Sequence, residues 1–125
     1  MKLRRYVLTA ALVLVASTAA FAHAHLRKAE PPVGSTVRAS PAEVRLWFSE
    51  KLEPSFSRLQ VLDARGESVA GANSTVDPTD PAQISVPLKA LTPGTYKVVW
   101  RAVSVDTHVT EGDHTFTVSQ QSSMR

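Results

Sequence analysis

There is no cysteine among the 125 residues, so neither a disulfide nor a thiolate metal site is open to this chain. Any metal must be held through nitrogen, oxygen or thioether. Thioether is scarce as well, since Met124 is the only methionine after Met1. Aromatic residues make up 6% of the sequence, which offers little from which to build a wide substrate-docking surface. No segment carries sustained helical periodicity and no stretch repeats another, which argues against bundles and solenoids. After residue 22 there is no apolar run long enough to cross a membrane, and no membrane helix closes the chain.

What is present begins with a leader. Lys2, Arg4 and Arg5 form a basic start, and Tyr6 to Ala22 is an uncharged, mostly apolar run closing on Ala20-Phe21-Ala22. That is the pattern of a secretory signal peptide over residues 1–22, with small residues where a signal peptidase inspects. As a membrane anchor the run is short, and Thr9, Ser17 and Thr18 weaken it. Ala22-His23-Ala24 also satisfies small-x-small, so cleavage after Ala24 stays open. Cleavage after Ala22 removes three of the fourteen basic residues and none of the eleven acidic ones, taking the formal charge from +3 to zero. The basic character belongs to the leader, which excludes a nucleic-acid role for the exported part and leaves it without stable membrane insertion.

The remainder reads as short strands with turns between them. An edge strand fits His25 to Glu30. Val44, Leu46 and Phe48 alternate with Glu43, Arg45 and Trp47; Leu59 and Val61 share a face in Phe56 to Leu62; Ile84, Val86 and Leu88 make a third alternating set. Thr95 to Val103 is a fourth strand, and Phe116 and Val118 lie in a closing one after a turn marked by Gly112. The stretch from Gly66 to Pro81 reads as a long polar loop, and residues 120–125 as a polar tail. The class is all-β, an antiparallel sandwich or barrel. His114 shares the parity of Phe116 and is expected to pack inward.

Asp106 and His108 are two residues apart, so an extended backbone points both to one side. Taken singly, His108 reads as a surface histidine at a strand end and Asp106 as a turn-capping carboxylate. Together they make half a metal site, and His23 offers the other half. Released as the first residue, it can close a chelate with its amine and ring Nδ1. Three nitrogens and a carboxylate oxygen suit copper(II). His25 complicates this, because a free His-Ala-His terminus can instead wrap copper(II) with its amine, two backbone amides and the third-residue imidazole. That mode would leave Asp106 and His108 unused.

The run Trp100-Arg101-Ala102-Val103-Ser104, then Asp106-Thr107-His108, Gly112 and Phe116, resembles the C-terminal signature of the CopC/PcoC copper-binding proteins. His23-Ala24-His25-Leu26, Pro31-Pro32, Phe48-Ser49-Glu50 and Gly94-Thr95-Tyr96 match the same family in the same order, over residues 23–119. The resemblance implies a Greek-key β-sandwich of about seven strands, immunoglobulin-like or cupredoxin-like. It implies copper(II) held by an N-terminal histidine brace at His23 together with Asp106 and His108, with Glu50 close by as an outer group or weak ligand. It implies a periplasmic protein, not an enzyme, that buffers or delivers copper in resistance, homeostasis or import, with an inner-membrane CopD-like protein as recipient. The methionine-rich loop that some members use for copper(I) is missing here. Two other classes compete: a histidine-brace copper monooxygenase, and a metal-free immunoglobulin-like adhesion or assembly module.

Overall fold

The computed structural model describes residues 24–120, and among these there is no helix. Eight strands run in order: β1 Leu26–Glu30, β2 Thr36–Val37, β3 Glu43–Phe48, β4 Arg58–Leu62, β5 Thr75–Asp77, β6 Asp80–Pro87, β7 Gly94–Val103 and β8 Val109–Val118. They form two four-stranded sheets, ordered β1-β3-β6-β5 and β2-β8-β7-β4. The architecture is the expected β-sandwich, with two more short strands than alternation alone reveals.

Alternation decides what each sheet buries. Val44, Leu46 and Phe48 of β3 and Ile84 and Val86 of β6 face Leu59 and Val61 of β4, Tyr96 and Val98 of β7, and Phe116 and Val118 of β8. None of these is more than 5% exposed, so one apolar layer holds the two sheets together. Glu43 and Arg45, on the other face of β3, pair with each other at 2.6 Å. Tyr96 Oη donates to the Thr92 carbonyl at 2.6 Å and its ring stacks on Phe116, pinning the start of β7 in the manner of a Greek-key tyrosine corner.

Several sequence expectations are corrected. The stretch from Gly66 to Pro81 is not one loop: β5 lies within it and forms a hairpin with β6. Asp77 Oδ1 accepts from both Thr79 N and Thr79 Oγ1 at 2.9 Å, which closes the turn, and three residues are too few to show a period. Phe56 precedes β4 rather than opening it, with its N–H donating to Glu53 in a turn. The pairing is not wholly antiparallel, because β2 runs parallel to β8. The chain crosses between sheets after β1, and β2 lays two residues along the otherwise open edge of β8. Gly112 is not in a turn at all. It sits inside β8, directly opposite Trp100.

His114 is buried as expected, with its ring 5.7 Å from that of Trp100 and neither nitrogen hydrogen-bonded among the described residues. Burial pushes its pKa down, against a smaller upward pull from Asp113. The native state therefore takes up this proton at lower pH than the unfolded chain does. Its contribution is complete above the unfolded value of about 6.5 and is lost as pH falls toward the depressed folded value. A His114→Phe variant should flatten the stability profile on the acid side of neutrality; denaturant melts of both proteins across that range read the difference.

Candidate metal centre

Three distant pieces of chain meet at one end of the sandwich: Ala24 and His25, the segment 49–53 after β3, and the turn 104–108 between β7 and β8. Val105 N–H donates to the Lys51 carbonyl at 3.0 Å, Glu53 N–H to the Val103 carbonyl at 2.7 Å, and Ser49 N–H to the His25 carbonyl at 2.8 Å. Leu52 bridges Ser104 across the two segments.

Ser104 builds the turn. It is fully buried, and its N–H donates to the His108 carbonyl at 2.9 Å while its carbonyl accepts from Thr107 N–H at 2.8 Å. Its hydroxyl accepts the His108 N–H at 3.3 Å and donates to Asp106 Oδ1. Thr107 takes φ of +72°, in the left-handed region. The backbone at Asp106 is thus a tight turn and not the extended strand end that spacing suggested. The turn nonetheless places the two side chains together, with His108 Nδ1 3.4 Å from Asp106 Oδ1.

Both side chains are solvent-accessible, 39% for His108 and 48% for Asp106. The hydrogen bond from Ser104 holds the Asp106 carboxyl below the ordinary carboxylate range, with smaller help from the His108 charge and neighbouring backbone N–H groups. Asp106 is consequently ionised at neutral pH and ready to donate an oxygen or to orient the imidazole. An accessible carboxylate beside an imidazole fits copper(II) better than copper(I), which prefers sulfur.

The sequence assigns Ser104 no role, although a serine hydroxyl that bonds to nearby backbone, as this one does to the His108 N–H, is a common way to fasten a turn. A Ser104→Ala variant should let the Asp106 pKa rise toward its ordinary value. Metal-site supports of this kind are worth roughly 10–100-fold in affinity. An NMR titration of the carboxylate and a copper titration read the two effects separately.

The other sequence candidates stand differently. His23 lies outside the described residues. Among the described residues no three His, Cys, Asp or Glu side chains converge on one point, so His25 and Glu50 do not join the Asp106/His108 pair. His25 is exposed, and its N–H donates to Ser49 Oγ at 2.8 Å. Glu50 is half-buried in the segment between Ser49 and Lys51, whose backbone bonds lead to His25 and Val105. Ala24 is buried, and its carbonyl accepts from Thr110 Oγ1 at 2.9 Å, two residues after His108.

Residues 26–119 match the sequence profile of the CopC domain. The chain belongs to the CopC family. It is 37% identical over 123 residues to copper resistance protein C of Escherichia coli, covering 93% of this chain and 97% of that protein. The crystal structure of CopC from Methylosinus trichosporium OB3b superposes with a TM-score of 0.75 at 31% identity, covering 82% of this chain and all of the other. The copper transport protein CutJ of Bacillus subtilis is 30% identical over 101 residues, spanning 80% of this chain but only 19% of CutJ. Membership places the chain in a family of copper resistance and copper transport proteins and not of enzymes, so the monooxygenase reading is not retained.

Proposed function

We propose that the chain is exported to the periplasm, loses residues 1–22, and binds one copper(II) ion as cargo within a domain of residues 23–119. His23 supplies its amine and ring Nδ1, His108 a third nitrogen and Asp106 an oxygen. Glu50 stands by as an outer group, and residues 120–125 form a tail without a role in the site.

The observation that carries this reading is the bond from Thr110 Oγ1 to the Ala24 carbonyl. It ties the residue next to His23 to the strand that begins just after His108, and consecutive Cα atoms are only about 3.8 Å apart. The described residues supply two donors, and His23, one residue before Ala24 in the chain, would supply the rest. Without thiolates and with a single methionine after Met1, the donor set points to copper(II) with no second, copper(I), site. The protein would buffer copper or hand it to an inner-membrane importer of the CopD kind. That a copper transport protein carries a similar stretch over 19% of its length supports a transport protein as recipient.

Mass determination of the exported protein followed by copper(II) titration tests the reading in one sequence of measurements. A first residue of His23 and one copper(II) per chain are expected, with affinity falling on acidification because the amine and imidazoles must be deprotonated. A different first residue, or tight stoichiometric copper(I) binding, would count against it.

A further inference from the structure

The peptide group joining Ala24 to His25 is held at both its polar atoms. Its carbonyl oxygen accepts from Thr110 Oγ1 at 2.9 Å, and its N–H donates to Ser49 Oγ at 2.8 Å. Ser49 returns a bond from its own N–H to the His25 carbonyl at 2.8 Å. The His25–Ser49 rung thereby continues the β1–β3 ladder beyond Leu26 and Phe48, with a hydroxyl standing where a strand carbonyl would. Thr110 reaches the same peptide from β8, in the opposite sheet. The side chain of Ala24, 2% exposed, is packed into the core. One peptide unit is pinned between the sheets at the end that carries Asp106 and His108.

This bears on how a His-Ala-His terminus can bind copper(II). The wrapped mode open to a free peptide of this sequence uses the His25 amide nitrogen, which binds a metal only after its proton has left for solvent. Here that N–H is engaged by Ser49. Turning the nitrogen toward a metal would break the bonds to Ser49 and Thr110 together and draw Ala24 from the core.

We propose that Ser49 and Thr110 select the binding mode: they withhold the His25 amide, confine the terminal histidine to its amine and ring, and so make Asp106 and His108 necessary. The inference rests on the brace proposed above. Ser49 and Thr110 are positioning residues that touch no metal, and the His25 imidazole is a bystander.

Copper(II) absorption and electron paramagnetic resonance spectra of the processed chain test it, using wild type, His25→Ala, the Ser49→Ala/Thr110→Val double variant, and that double with His25→Ala added. Wild type and His25→Ala should give one spectrum, and His108→Ala should weaken binding in both. In the double variant the visible band should move to shorter wavelength, since deprotonated amides are stronger-field donors, and binding should become insensitive to His108→Ala. Adding His25→Ala should reverse the shift. A double variant with an unchanged spectrum and full dependence on His108 overturns the clamp, as does a wild-type spectrum altered by His25→Ala alone. His25 is exposed, so that arm stays readable even if the double variant does not fold. A wild type whose binding ignores His108→Ala instead sinks the brace itself.

Discussion

A chain carrying one extra residue ahead of His23 is expected to bind copper(II) more weakly by on the order of a hundredfold or more. Extension converts the terminal amine into an amide, whose nitrogen lone pair is delocalised into the carbonyl and no longer free to donate. The chelate with ring Nδ1 is lost in the same step. Outer supports of metal sites are worth roughly 10–100-fold, so removing a ligand should exceed the upper end of that range. The added residue precedes every described residue, so Ser104, Asp106 and His108 keep their arrangement and the folded domain should melt as before. His108→Ala removes the site from its other side, and the side chain is exposed enough that this too should leave the fold intact. The two changes act on one ion, so combining them should cost much less than the sum of their separate losses. Competition against a chelator of known strength measures all three. An extended chain that holds copper(II) as tightly as the processed one would remove the terminal amine from the site.

How much of this could be read without coordinates depends on how local each signal is. Strands β3, β4, β6 and β7 announce themselves because their inward residues recur every second position beneath a single apolar layer. β2 and β5 do not, because two or three residues cannot display a period, and each exists by virtue of its neighbour: β8 for one, the hairpin with β6 for the other. The Asp106/His108 juxtaposition was legible but for a different reason than the actual one. Spacing of two suits an extended strand, whereas the chain uses a turn fastened by the Ser104 hydroxyl and a left-handed Thr107. Ser49 and Thr110 carried no local signal, since their partners lie 24 and 86 residues away. Contacts between separated segments of that kind fix where the site lies, and only the folded chain displays them.

Gly112 shows the same ambiguity in reverse, and it yields the largest expected change in stability. Glycine within a strand pattern signals either a turn or a close approach of something bulky, and here it is the second. A Cβ at this position would lie 2.3 Å from Trp100 Cζ2 and 2.7 Å from Cη2. The indole cannot easily swing aside, because Phe48 meets it edge-on at 6.0 Å and His114 lies 5.7 Å from it. Two effects compete in Gly112→Ala. Restricting the unfolded chain would stabilise by about 0.4–1 kcal/mol where the native backbone accepts alanine. Overfilling a packed site costs about 1–3 kcal/mol. With overlap this deep against a ring held by neighbours in both sheets, the steric effect should win. Each kcal/mol lowers the melting temperature of a domain of this size by roughly 4–8 °C. Trp100→Phe, which removes the part of the ring that collides, should recover some of the loss when added to Gly112→Ala although it opens a void when made alone. That opposite-signed coupling in a double-mutant cycle assigns the effect to this contact rather than to strand propensity. If Gly112→Ala instead melts at or above the wild-type temperature, the indole is free to move and the glycine is not there to receive it.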